Sequence, residues 1–151
     1  MERDRHGRQE TLIILLSEAA EQLVEDLVQR LADVGFQDIR PAHRWVFAYI
    51  DPGGTRLTEL AWRAHMTHPS MSELVAAMVA RGYLERVPDP TDGRARLIRL
   101  TSRGRRMQRR ALAEIEAIEA AWLQELGPRH ANGLSDALAA AVHRRRRQGR
   151  G

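Results

Sequence analysis

Cysteine is absent from this chain, and so is lysine. Without cysteine there is no disulfide, no thiol nucleophile, no cysteine-ligated zinc and no thiol redox sensor. Without lysine there is no Schiff-base chemistry. All 24 basic residues are therefore arginines, whose planar forks suit phosphate. No apolar run reaches the length of a membrane span, and residues 1–10 are charged rather than built like a secretory signal. No membrane partner is expected, and a cytoplasmic location is. There is no nucleophile–base–acid constellation and no glycine-rich phosphate loop. Enzymatic activity is thus the least expected class of function, with no catalytic residues and no cofactor. His65 and His68 lie three apart across a helix start, with no further ligands nearby, so no metal site is predicted.

What is present is arginine, unevenly placed. The net charge of a 151-residue chain is only +4. Yet residues 81–110 carry ten arginines (Arg81, Arg86, Arg94, Arg96, Arg99, Arg103, Arg105, Arg106, Arg109 and Arg110) against Glu85, Asp89 and Asp92. The segments on either side are acidic: residues 10–34 have only Arg30 as a cation, and residues 111–126 hold Glu114, Glu116, Glu119 and Glu125. A basic band between acidic ends is the footprint of a polyanion site on one face. Arg103, Arg105 and Arg106 sit in the first turns of a helix, where the macrodipole disfavours cations. An external anion is the expected reason for them.

The length suits one domain with helical extensions. Thr11 to Val34 has helical period, with Leu12, Leu15, Leu16, Ala19, Leu23, Leu27 and Leu31 on one stripe and Gly35 as its stop. A helix this long needs partners for its stripe. Pro41 opens a second helix to about Ile50, ended by Asp51-Pro-Gly-Gly54. Thr55-Arg-Leu57 can pair at the edge of a small sheet. Thr58 is expected to cap a third helix over Glu59 to Ala64. His65-Met66 makes a turn, and Thr67 or His68 caps a fourth helix with Pro69 in its first turn. On that helix Met71, Leu74, Val75, Met78 and Val79 face inward, and Gly82 ends it. Tyr83–Val87 and Arg96–Leu100 have strand character, separated by turn chemistry from Pro88 to Arg94. Thr101 caps a fifth helix whose Met107, Ala111, Ile115, Ile118, Trp122 and Leu126 approach a heptad seam. A sixth runs from about Ala131 to His143, followed by a frayed basic tail.

The predicted fold is mainly α with a small β-hairpin wing. It is a winged helix-turn-helix flanked by N- and C-terminal dimerisation helices. A helix of this size enters the DNA major groove with its first residues against base edges. His68, Ser70, Ser72 and Glu73 are those residues here. Asp92, Arg94 and Arg96 put charge on the hairpin, where an arginine can enter a narrow minor groove. Asp92 is expected to steady Arg94 by a carboxylate–guanidinium bond.

Residues 57–101 resemble the multiple antibiotic resistance regulator (MarR) family of bacterial winged-helix transcription factors. The resemblance rests on Leu57-Thr-Glu-Leu-Ala61, the helical run through Leu74-Val75, Gly82-Tyr-Leu-Glu-Arg86, Asp89-Pro90, and Asp92-x-Arg94 followed by Leu100-Thr101. It covers about a third of the chain closely, and the order of the flanking helices extends it to nearly all. It adds Pro69 to the residues of the fourth helix expected at the DNA. It implies a homodimer in which residues 1–35 and 102–151 form the helical dimerisation region and residues 36–101 the DNA-binding domain. The partners implied are double-stranded DNA and a small phenolic or lipophilic effector that releases it. Trp45, Tyr49, His65 and Met66, with His43 and Trp62 nearby, are the expected crevice residues. Two departures stand out. His65 occupies a turn position where glycine is common, so an unusual backbone is expected there. Glu73 occupies a position where a basic residue is common, which shifts the expected affinity to Arg94, Arg96 and the rest of the basic band. The expected function is a sequence-specific transcriptional regulator, a repressor released by ligand. The alternatives are an architectural DNA binder without an effector, or a winged helix used as a protein-contact adaptor.

Overall fold

Three helices of this protein end in the same way, and those endings set the path of the chain. The structure, a computed structural model, describes residues 11–148, with side chains through residue 144. Helix α1 spans Leu12–Asp33, with the Thr11 hydroxyl accepting from the Ile14 N–H at 3.4 Å. It closes on Gly35 at φ +97°: Gly35 N–H donates to Ala32 O, and Phe36 N–H to Leu31 O at 2.9 Å. This is the Schellman pattern, which needs a left-handed residue after the helix. Helix α4, His68–Ala80, ends identically at Gly82, with Tyr83 N–H donating to Met78 O at 3.0 Å. Helix α3, Leu57–Arg63, also ends this way, with Met66 N–H donating to Ala61 O at 2.9 Å. There the left-handed residue is His65, at φ +53°, the sole non-glycine with positive φ among the described residues.

Between α1 and α3 the chain makes a 3₁₀ turn, Pro41–His43, which leads into the short helix α2, Arg44–Tyr49. The expected second helix is thus real, but its first turn is wound tighter. The Arg40 N–H is capped by His43 Nδ1 at 3.0 Å. Strand β1, Thr55–Arg56, runs directly into α3. Thr58 is therefore not the cap expected of it: the helix begins at Leu57, Arg56 is the residue before it, and Thr58 lies inside the first turn.

Strands β2, Leu84–Asp89, and β3, Asp92–Leu100, form the hairpin, and β1 adds to its other edge in the order β1-β3-β2, all antiparallel. Leu84 lies opposite Leu100 and Arg86 opposite Ile98, while Thr55 pairs with Ile98 on the far side. The pairing reaches further than the turn-forming composition suggests. Pro88 faces Arg96, a register shift follows, and only Pro90 and Thr91 remain at the tip. Proline is tolerated here because β2 is an edge strand with a bulge.

Helix α5, Ser102–Leu126, starts as expected at Thr101, whose hydroxyl accepts from the Gly104 N–H at 3.1 Å. A short helix α6, Pro128–Ala131, and α7, Leu134–Gln148, follow, separated at Gly133 with φ +81°. The sixth helix of the sequence reading is therefore two. The expected fray from Arg144 is helix through Gln148, and residues 149–151 lie outside the described residues.

The chain divides into two compact units, residues 1–114 and 115–151. The core of the first gathers Leu31, Val46, Leu60, Met71, Val75, Met78, Tyr83, Ile98 and Met107, all nearly or fully inaccessible. The inward face expected of α4 is the observed one, with Leu74 and Val79 packed at its margin. The stripe of α1 behaves differently. Leu31 is buried, but Leu12 is 71% exposed and Leu15 and Leu16 more than 40%. In the second unit Leu138 and Val142 of α7 are similarly open. No helix among the described residues is long and apolar enough to cross a membrane.

Candidate nucleic-acid interface

The outward face of α4 is short-chained and polar. His68, Pro69, Ser70 and Glu73 are exposed, Ser72 is half-buried, and Ala76 and Ala80 continue the exposed side. Thr67 is the cap: its hydroxyl accepts from the Ser70 N–H at 3.3 Å and hydrogen-bonds the Ser70 hydroxyl at 2.8 Å. Ser70 is therefore tied to the helix start. The one arginine of this segment, Arg81, turns back on the helix and donates to Ala77 O at 3.0 Å.

The hairpin is braced from its base. Asp89, buried at the end of β2, accepts from the Thr91 N–H at 2.8 Å and the Thr91 hydroxyl at 2.7 Å. Arg56, on the edge strand β1, donates to the same carboxylate at 2.8 Å and 2.6 Å. These bonds, Thr91 first and then Arg56, pull the Asp89 carboxyl down to about 2. Asp92 lies 3.6 Å from Arg56 and accepts from the Arg94 N–H at 3.2 Å. The expected Asp92–Arg94 side-chain bond is thus replaced. Asp92 holds the Arg94 backbone, because its carboxylate is turned towards Arg56. The guanidinium of Arg94 makes no hydrogen bond or ion pair among the described residues, and neither do those of Arg86 and Arg96. Arg86 and Arg96 share one face of the hairpin, since each is set by its register against Ile98 and Pro88. Arg86 and Arg56 were not singled out from the sequence as site residues. A period-two count from Leu84 would have placed Arg86 beside Arg96, but no local signal pairs Arg56 with a residue 33 positions away.

The arginines at the start of α5 do not fit the expectation that an external anion explains them. Arg103 lies over the Tyr83 ring, 4.4 Å from its centroid, and donates to the Tyr83 oxygen at 3.1 Å and to Asp38 at 3.4 Å. The Tyr83 hydroxyl donates in turn to Asp38. Burial, and then that bond, raise its pKa. Arg105 donates to Leu100 O at 2.8 Å, taking up a strand-end carbonyl. These two cations serve the fold, and their own bonds offset the unfavourable dipole. Arg106 alone of the three has no partner among the described residues.

The expected crevice residues lie on several elements. Trp45 and Tyr49 stack on α2, ring centroids 6.2 Å apart at 5°. His65 is exposed at the α3–α4 turn, Met66 half-buried beside the core, and Trp62 largely open on α3. His43 is buried, bonded to Arg40 N–H, and its pKa is lowered by burial and then by the charges of Arg81 and Arg40. It is a neutral structural histidine. A groove of about 280 Å³ does exist, but it is lined by Ser17, Ala20, Glu21, Val24, Glu25, Pro41 and Arg44, none of them an expected crevice residue.

Comparison with known proteins sharpens this geometry. A model of the MarR family matches residues 37–95, the segment from Gln37 through the wing. No curated protein matches the sequence. Among solved structures, the transcriptional repressor CouR bound to a 23-mer DNA duplex aligns at 25% identity and TM-score 0.69, over 88% of this chain and 92% of its own. CouR from Rhodococcus jostii bound to p-coumaroyl-CoA aligns at 22% identity and TM-score 0.69, over 87% and 92%. The S. aureus MepR–DNA complex aligns at 17% identity and TM-score 0.70, over 89% and 98%. The last two are likenesses of fold. With a family match running through the braced wing and a fold shared over nearly the whole chain, residues 37–95 are similar to the MarR family and the protein has the fold of its DNA-binding transcriptional regulators.

Proposed function

We propose that the protein is a homodimeric repressor that binds a two-fold related DNA site and is released by a small phenolic or lipophilic ligand. The observation that carries the DNA contact is the wing. Arg94 stands exposed beside a clamped tip, its guanidinium unpaired among the described residues, with those of Arg86 and Arg96 equally so. An arginine fixed at its backbone and open at its head suits insertion into a narrow minor groove. The residues of α4 from His68 to Glu73, with Asp92 supporting the wing, complete the contact. The dimer is supported by the apolar half of α1, which stands open among the described residues and needs a partner. Residues 1–35 and 102–151 form the dimerisation region and residues 36–101 the DNA-binding domain. Repression and release are supported by the likeness to CouR, described both as a DNA-bound repressor and with an aromatic thioester. The effector site in this reading comprises the stacked Trp45–Tyr49 pair, with His65 and Met66 of the α3–α4 turn.

The test is duplex binding across a salt series. Affinity for a selected site falls steeply with salt, as arginine–phosphate contacts release counterions. Arg94→Ala weakens binding by roughly 1–3 kcal/mol without changing the melting curve. Unaltered affinity in that variant removes the wing from the contact. The nearly uncharged face of α4 favours one competing reading, an architectural binder without sequence choice, which would enrich no site from random duplexes.

A further inference from the structure

Residues 36–101 contain seven carboxylates: Asp38, Asp51, Glu59, Glu73, Glu85, Asp89 and Asp92. Six of them lie within ion-pair distance of an arginine. Asp38 meets Arg103, Asp51 and Glu59 share Arg63, Glu85 meets Arg99, and Asp89 and Asp92 share Arg56. Glu73 is the exception. It is exposed in the middle of α4, and no cation or hydrogen-bond donor of the described residues reaches it. In a segment this rich in arginine, an unpaired carboxylate at the centre of the groove-facing helix is the feature that folding does not explain.

Its neighbours sharpen the point. Ser70 lies one turn before Glu73, and Ala76 and Ala77 one turn after. None has a side chain long enough to hold the helix away from a groove floor. Ser70 is already engaged by Thr67 and Arg81 by Ala77 O. Among the described residues Glu73 is therefore the only acid on that face, and the one cation near it, Arg81, is turned back on the helix. Inside a major groove its carboxylate meets a field of phosphates, which repels it unless a base edge supplies a donor. Cytosine and adenine each supply an amino group, but adenine's lies beside the N7 acceptor, which repels a carboxylate, so cytosine N4 is the partner a glutamate accepts from. Guanine presents only acceptors there, so a carboxylate opposite guanine gains nothing and keeps the repulsion.

We propose that Glu73 is a specificity-determining residue that selects cytosine at one position of each half-site and repels duplex lacking it. The wing arginines then supply attraction that is indifferent to sequence, and Glu73 subtracts from it everywhere except at the cognate base. This division explains why the free arginines lie on the wing and the free acid on the helix. The inference rests on the DNA-binding reading above and adds a base identity to it.

The experiment is selection from random duplexes by the full-length protein, by Glu73→Gln and by Glu73→Ala, together with binding to a non-cognate duplex. Glu73 is exposed, and matched melting curves establish that both variants fold. The wild-type site is expected to hold an invariant cytosine in each half. Glu73→Gln is expected to move that position towards adenine, to which glutamine pairs. Glu73→Ala is expected to lose the preference there, a discrimination on the order of ten-fold, and both variants to bind the non-cognate duplex several-fold tighter. Identical selected sites from all three proteins overturn the role of Glu73 while leaving DNA binding intact, and so does tighter binding with no change of base. Binding without any enriched site overturns it as well. If the wild type binds no duplex, the DNA-binding reading falls with it.

Discussion

At the scale of single residues, two positions hold backbone constraints that composition conceals. His65 occupies the left-handed position that closes α3, at φ +53°. A residue with a β-carbon is disfavoured there by roughly 1–2 kcal/mol, while glycine loses roughly 0.5–1 kcal/mol of that advantage in the flexibility of its unfolded chain. His65→Gly is therefore expected to raise the unfolding free energy by about 0.5–1 kcal/mol. An unchanged or lower denaturant midpoint would mean the imidazole contributes to folding beyond its backbone. Gly104 is the opposite case. A β-carbon there would lie 2.1 Å from the carbonyl oxygen of Tyr83, which also accepts from the Thr101 N–H at 3.0 Å. The backbone just before β2 and the first turn of α5 touch at that glycine. Gly104→Ala is expected to cost about 1–3 kcal/mol, despite the better helix propensity of alanine. A midpoint equal to wild type would show that the contact yields.

At the scale of elements, the wing is held as a unit by one carboxylate. Asp89 ties the tip through Thr91 and the edge strand through Arg56, and its pKa falls from 3.8 to about 2. The sign follows directly. A carboxyl lowered on folding stabilises the folded form above its unfolded value, and that contribution disappears as the pH falls through the folded one. The hairpin is expected to keep its protection from hydrogen exchange at pH 5 and lose it between about 3.8 and 2. Asp89→Asn is expected to expose the tip amides already at pH 5. Full protection in that variant would show that the turn stands without the ion pair. The helix α5 has its own anchor in Arg103, Tyr83 and Asp38, with the Tyr83 ring also meeting Phe36 and Phe47 at 6.3 Å and 6.5 Å. The brace and the anchor lie at opposite ends of β2 and hold different neighbours, so loosening one leaves the other in place.

At the scale of the whole molecule, the proposed dimer rests on the apolar surface of α1. Leu12 and Ile13 are 71% and 78% exposed, on a helix whose C-terminal end is buried at Leu31. Covering such a face releases water from apolar area, the main source of stability in lasting protein contacts. Ile13→Glu combined with Leu16→Glu is expected to shift sedimentation from dimer to monomer and to weaken binding to a two-half-site duplex at least ten-fold, by loss of the linked second reader. Wild-type sedimentation in the double variant would place the interface elsewhere.

Much of this was legible without coordinates. The absence of cysteine and lysine, the helical stripes, the glycine stops, the cap at Thr101 and the inward face of α4 all depend on neighbours within a few residues. So does the unusual turn at His65, because a left-handed residue is required by the helix ending before it. Local chemistry determines such features wherever they occur in a chain. The partners of arginine were not legible. Arg56 meets Asp89 across 33 residues, Arg103 meets Asp38 across 65, and Asp92 turns to Arg56 instead of Arg94. A guanidinium reaches far and bonds in several directions, so composition marks where charge is plentiful but leaves its pairing open. Only the tertiary structure decided which arginines brace the fold, which stand free at the wing, and that Glu73 alone among the seven acids of the reader meets no arginine of the described residues.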